Sequence, residues 1–128
     1  MTNVAAGLFI RQNHILIARR GKNQNLAGCW EFPGGKQEGD ESILECLERE
    51  IREEFQVPCR AWEIHSHNPY HYPGGSIDLI AVRAELLSGD LVLSVHDDYR
   101  WVEIGKLSAY NLAPADVSIA EKLMEEYP

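Results

Sequence analysis

Cysteine is scarce in this chain: Cys29, Cys46 and Cys59 are the only three among 128 residues, and no two stand in a C-x-x-C spacing. So sparse and odd a set suits neither a disulfide framework nor a structural zinc site, so reduced thiols in a cytoplasmic protein are expected. Long apolar runs are also missing, and nothing approaches the ~18 apolar residues of a membrane-spanning helix. Met1-Thr2-Asn3-Val4 puts no basic stretch ahead of an apolar one, so no secretory signal is expected. Basic side chains are the last shortage, 12 against 20 acidic ones for a net charge of −8. Gripping phosphate backbones or anionic lipid needs clustered Lys and Arg, so neither a nucleic acid polymer nor a membrane is an expected partner. An anionic small molecule stays open, provided a divalent metal carries charge between it and the protein.

No repeat, low-complexity tract or linker divides the chain, and residues 1–128 are read as one domain. Val4–Ile10 and His14–Ile17 read as strands across a polar turn at Arg11-Gln12-Asn13, and Arg20–Gly28 as a loop. Trp30-Glu31-Phe32 reads as a short strand stopped by Pro33-Gly34-Gly35. Longer strands follow at Cys59–His67 and Ser76–Leu87, then two shorter ones at Leu91–Val95 and Tyr99–Ile104. Ala115–Tyr127 reads as a closing helix. The elements mix without regular βαβ alternation, which points to the α+β class, with a mixed sheet between helices.

The clearest helix spans Glu41–Phe55, with Asp40 at the N-cap position and Pro58 just beyond its end. Leu44, Leu47, Ile51 and Phe55 share one face at ~100° per residue and should meet the core. Glu50, Glu53 and Glu54 stand at i, i+3 and i+4 along a neighbouring side. Like charges so spaced repel by roughly 0.2–0.5 kcal/mol per pair. They also crowd the helix C-terminus, where the dipole disfavours anions. Either this is a solvated acidic face, or a hard divalent cation offsets both terms. Arg49 beside the cluster is placed to orient a carboxylate, and Gly34 and Gly35 upstream permit a backbone carbonyl to be presented to metal.

At this point the residues match a known pattern. Gly35, Glu41, Arg49, Glu50, Ile51, Glu53, Glu54 and Val57 reproduce eight positions of the Nudix box, G-x5-E-x7-R-E-U-x-E-E-x-G-U, over 23 residues, with Gln56 where the box has Gly. Leu16-Ile17-Ala18-Arg19-Arg20, Trp30 to Lys36 and Leu112-Ala113-Pro114-Ala115-Asp116 also resemble the MutT-like branch of the Nudix hydrolases. The resemblance implies a mixed sheet between helices, with the box as a loop–helix–loop. It implies a metal-dependent hydrolase that splits a nucleoside triphosphate into monophosphate and pyrophosphate, with Mg²⁺ or Mn²⁺ as cofactor. Gly34, through its carbonyl, Glu50, Glu53 and Glu54 would ligate metal, and Arg49 would hold a carboxylate in place. Glu41 would brace the motif with Gly35, and Glu50 or Glu53 would be the base. The missing Gly at Gln56 is expected to alter the exit of the helix.

Many Nudix relatives add an acidic ligand where this chain has Val95; Asp97 or Asp98 would stand in for it, or else both shape a polar turn at His96-Asp97-Asp98. The resemblance makes Arg20, Phe32, Tyr72 and Asp116 nucleotide contacts. Asp116 would read the base edge, although near a helix start it also has the chemistry of an N-cap. An ionised carboxylate only accepts hydrogen bonds, which suits donor-rich edges such as cytosine or an oxidised guanine. His65, His67, His71 and His96 lack the companions that zinc spacing needs. Hydrolysis of ADP-ribose or a dinucleotide, and a non-catalytic nucleotide sensor, are the competing readings. A monomer and a homodimer both remain open.

Overall fold

The computed structural model describes residues 1–128. Strand β1 (Thr2–Arg11) runs through the middle of the molecule, buried without a break from Ala5 to Phe9. It pairs in parallel with β6 (Gly75–Leu86), and β5 (Cys59–Tyr72) extends the sheet antiparallel on β6. β2 (His14–Arg20) returns from β1 through a hairpin whose two turn residues, Gln12 and Asn13, both have positive φ. That backbone sense matches the right-handed twist of a two-residue hairpin. β3 (Trp30–Glu31) and β7 (His96–Glu103) pair with β2, and β4 (Gly34–Lys36) pairs with β1.

Helices cover both faces, as the sandwich expectation requires. Alternation along β1 sends Ala5 and Phe9 towards α1 (Ile43–Phe55), where they meet Leu47, Ile51, Phe55 and Val82. It sends Ala6 and Leu8 towards α2 (Val117–Glu126), where they meet Ile15, Ile17, Ile119 and Leu123. Two 3₁₀ turns, Ile104–Ala109 and Pro114–Asp116, lead into α2, so the closing α-helix begins at Val117 rather than Ala115.

Four local expectations are corrected. First, α1 begins at Ile43, and its N-cap is Ser42, not Asp40. Ser42 Oγ accepts from Glu45 N at 3.1 Å while the Glu45 carboxylate accepts from Ser42 N at 2.8 Å, a reciprocal capping box. Glu41 stays outside the helix because its carboxylate is held by Arg49 and by the Glu38 N–H. Second, β3 stops before Pro33 as expected, ending one residue early at Glu31, but Gly34 and Gly35 then form a strand of their own, β4, tight against β1: a side chain on Gly34 would strike the Ala5 carbonyl. Third, Leu91–Val95 is not a strand. It crosses the C-terminal end of α1, where Val92 N donates to the Phe55 carbonyl at 3.0 Å and Ser94 Oγ to the Glu54 carbonyl at 2.9 Å. Satisfying free helix carbonyls replaces strand pairing there. Fourth, His96-Asp97-Asp98 is the start of β7, with an irregularity opposite Arg19/Arg20, and not a turn.

Gln56, expected to change the helix exit, takes the left-handed conformation at the C-cap (φ 57°, ψ 34°) and donates its N–H to the Arg52 carbonyl. The exit is therefore the one a glycine would make, reached at the steric cost of a Cβ. Gln56→Gly should raise stability by about 0.5–1 kcal/mol, read as a higher urea midpoint with an unchanged slope.

Candidate active site

Arg49 organises the carboxylate end of the site. Its Nε and Nη2 donate to Glu41 at 3.0 and 2.8 Å, its Nη2 to the Lys36 carbonyl at 3.0 Å, and its Nη1 to Glu50 at 3.0 Å and Glu53 at 3.1 Å. One guanidinium thus ties the loop after β4 to two successive positions of the α1 cluster, a use of the planar fork that lysine could not copy. The Arg49 bonds, helped by the Glu38 N–H, hold the Glu41 carboxyl down at about 2, which keeps the brace ionised.

Glu50 lies under Gly35, where any side chain would displace its carboxylate, so glycine there lets the carboxylate keep its position. Burial raises the Glu50 carboxyl against the opposing pull of Arg49. Glu54 is the more perturbed: burial first, then the charges of Glu50 and Glu31, push it up to about 8. Glu53 is 59% exposed and turned towards Arg49. Glu50 and Glu53 thus share Arg49, and Glu54 lies beside Glu50, but no three acidic side chains stand close enough together to enclose a metal ion.

Glu54, Gly34 and Gly35 line a cavity of about 660 Å³ together with Arg20, Phe32 and Tyr72. Asp116 lines the same cavity. Elements far apart in sequence thus bring the box and the expected nucleotide contacts to one space. Asp116 makes no cap bond to α2; its Oδ2 accepts from Phe32 N at 2.9 Å, so the N-cap alternative is overturned. Burial pushes the Asp116 carboxyl up to about 8, against the pull of that N–H. Phe32 is only 3% exposed and packs into the α2-side core, whereas Tyr72 stands at the rim.

Asp98 is not brought to the cluster. Its Oδ1 accepts from its own strand neighbour Tyr99 N at 2.8 Å, and its Oδ2 lies 3.6 Å from Arg100 Nε. Asp97 instead pairs with Arg19 at 2.7 Å. The irregularity in β7 turns both aspartates away and brings His96 inward. His96 stacks on Phe55 at 5.2 Å between ring centroids, and its Nε2 lies 2.7 Å from Glu31 Oε2. Glu31 in turn accepts from Arg20 Nη1 at 2.7 Å. Glu31, His96 and Tyr70, which also faces the cavity, escaped the sequence reading. Glu31 alone carried a signal, an acidic residue between two buried aromatics of one short strand. A second hollow of about 610 Å³ beside β7 is shallow, and its Lys106 is paired with Glu103.

A mixed sheet between helices, bearing a glycine-backed carboxylate helix at a nucleotide-sized cavity, belongs to the hydrolases of phosphorus-containing anhydrides. The NUDIX domain matches residues 1–126, and the chain belongs to that family. It is 35% identical over 124 residues to the CTP pyrophosphohydrolase of Escherichia coli K12, covering 97% of this chain and 92% of that protein. It is 26% identical over 124 residues to the 8-oxo-dGTP diphosphatase of Buchnera aphidicola subsp. Schizaphis graminum, covering 97% and 94% of the two chains. Among solved structures, the MutT protein of Methanosarcina mazei Go1 superimposes with a TM-score of 0.86 at 26% identity, covering 98% of this chain and 94% of that one. No helix is long and apolar enough to cross a membrane.

Proposed function

We propose that this hydrolase is a metal-dependent nucleoside triphosphate pyrophosphohydrolase, acting on cytosine triphosphates first and on oxidised guanine triphosphates second. The observation that carries the reading is the convergence of Glu54, the Gly34–Gly35 backbone and Asp116 on a single cavity, with the Glu50 carboxylate packed against Gly35. Ionising Glu54 in this half-dry site needs a countercharge, and the guanidiniums of Arg20 and Arg49 are already committed to Glu31 and Glu41. Carboxylates of this kind, with a backbone carbonyl from Gly34 beside them, suit Mg²⁺ or Mn²⁺, hard cations that favour oxygen ligands. Glu50, Glu53, Glu54 and the Gly34 carbonyl would hold the ion, and Asp98 is left out of the set. When bound, such an ion neutralises polyphosphate charge and eases deprotonation of water.

The chain's own residues do the rest. Glu50 takes the proton of the water that attacks phosphorus, as the better buried of the two carboxylates that Arg49 positions. Arg49 fixes Glu50 and Glu53, and Glu41 keeps Arg49 in place. Arg20, Phe32 and Tyr72 hold the nucleoside, and Asp116 faces the base. The Asp116 Oδ1 is free for it, since Oδ2 is engaged by Phe32 N. Ionised, it only accepts, which favours bases bearing an exocyclic amine. The names of the two relatives above, a CTP and an 8-oxo-dGTP enzyme, support the same pair of bases.

The test is pyrophosphate release across canonical and oxidised triphosphates, ADP-ribose and a dinucleotide polyphosphate, ranked by kcat/KM. Release should require Mg²⁺ or Mn²⁺, and amine-bearing bases should lead. Their lead over uridine triphosphate should widen as pH rises through about 8, where Asp116 becomes ionised. A uracil-first ranking would remove the base assignment. Turnover confined to ADP-ribose or the dinucleotide would replace the substrate class, and nucleotide binding with no turnover would leave a sensor.

A further inference from the structure

His96 has no place in the chemistry above, yet it is the only side chain with a fully buried polar atom that lacks a hydrogen-bond partner, its Nδ1. Its side chain is 2% exposed, a costly position for a polar ring unless each nitrogen has a purpose. The ring is gripped on its face by Phe55, the last residue of α1. Its Nε2, 2.7 Å from Glu31 Oε2, must carry the proton, because a carboxylate facing it only accepts. The unpartnered Nδ1 points to the metal side of the site, 3.8 Å from Glu54 Oε2.

Glu31 has a single other strong partner. Its Oε1 accepts from Arg20 Nη1 at 2.7 Å, and Arg20 Nε is fixed to the Asn25 carbonyl at 2.5 Å. Glu31 is thus held from both sides, by the guanidinium at the nucleotide end and by the imidazole at the carboxylate end. Without the imidazole, the Glu31 carboxylate keeps only the Arg20 bond and can rotate, so Arg20 Nη1 loses its fixed acceptor while Nε stays tied to the Asn25 carbonyl. Each of the four side chains in the line Arg20–Glu31–His96–Glu54 also faces the cavity.

We propose that His96 is a positioning residue, which locks Glu31 and through it sets Arg20 for the nucleotide while its ring spaces the carboxylate helix from β3. The proposal rests on the nucleotide-hydrolase reading for its kinetic consequence, though not for its structural one. The order of effects follows from geometry. A defect in the Glu31 lock disturbs binding at Arg20 more than the proton transfer at Glu50, so KM changes more than kcat. A role in folding alone would lower the active fraction, which reduces apparent kcat and leaves KM where it was.

Three replacements separate these outcomes. His96→Phe keeps a ring for Phe55 and removes both nitrogens. His96→Gln can bring an amide N–H to the place of Nε2, and His96→Asn, one carbon shorter, cannot. With dCTP and saturating Mg²⁺, His96→Phe and His96→Asn should raise KM about tenfold, the size of one hydrogen bond to a charged group. Their kcat should fall by less than about threefold, and His96→Gln should restore most of the KM. The rise should not add to that of Glu31→Gln, because both break the same link. In the ligand-free ¹⁵N-labelled protein, the Arg20 Nε–H resonance should shift or broaden in His96→Phe and return in His96→Gln. An Arg20 resonance that is the same in wild type and His96→Phe overturns the proposal, and so does a KM equally raised in the Gln and Phe variants. If wild type hydrolyses no triphosphate, the functional reading fails, and the Arg20 resonance still decides the role of His96.

Discussion

Replacing Glu50 by glutamine is expected to lower kcat by about 10²–10⁴-fold, the usual range for loss of a positioned general base. The fold should survive the change. Glutamine has the same shape, so it fits beneath Gly35, and its amide oxygen can still accept from Arg49 Nη1 at the 3.0 Å that Glu50 now has. The repulsion that Glu50 exerts on Glu54 disappears, so the metal-free variant should melt at or above the wild-type temperature. Activity and melting therefore move independently, which separates loss of chemistry from loss of structure. Glu53 offers the internal comparison. It is the most exposed of the three and shares the same guanidinium, so Glu53→Gln should be the milder change if Glu50 is the base. Pyrophosphate release within tenfold of wild type for Glu50→Gln would remove Glu50 from that role and pass it to Glu53.

The parts of this site that the sequence made readable are those set by a local period. Ile51 and Phe55 recur at helical spacing, and Glu50, Glu53 and Glu54 follow the same period on the adjacent flank, so the helix and its carboxylates were found together. Arg49 stood out by its place beside the cluster, and the resemblance to the Nudix family added Glu41 and brought the distant Arg20, Tyr72 and Asp116 into consideration. Contacts decided by tertiary packing were not readable. The inward turn of His96 depends on Phe55 and on an irregularity opposite Arg19/Arg20, neither of which leaves a pattern near residue 96. Asp97 or Asp98 was the expected acidic ligand, but the irregularity in β7 and the pairing with Arg19 and Arg100 carry both elsewhere. The N-cap was misplaced for a related reason. Asp40 has the right chemistry, but the Glu41–Arg49 brace prevents the helix from reaching back that far.

The stability of the metal-free protein should fall as pH rises from about 5 to 9, and Mg²⁺ should reverse part of that fall. The sign follows from the two raised carboxyls. Glu54 moves from 4.5 to about 8 on folding, and Asp116 from 3.8 to about 8. A group whose folded value is raised contributes stability that is whole below its unfolded value and is lost as pH climbs through the folded one. For Glu54 the window is therefore 4.5 to about 8, with the loss complete above it. Such a move is worth at most roughly 5 kcal/mol. Partial exposure and solvent screening reduce this to about 2–3 kcal/mol, on the order of 5–10 °C in melting temperature. The two groups differ in what rescues them. On the proposed reading, Mg²⁺ would bind the ionised form of Glu54, release its proton and restore its share, increasingly so at higher pH. Asp116, which is outside the proposed ligand set, should gain nothing from the ion. Glu54→Gln should therefore abolish the Mg²⁺-sensitive part of the pH dependence, and Asp116→Asn the insensitive part. Melting curves at pH 5, 7 and 9, with Mg²⁺ and with chelator, measure both parts. A metal-free protein whose melting temperature is flat over that range would show that Glu54 and Asp116 ionise freely in the fold. The proposed cation site would then lose the buried charge on which it rests.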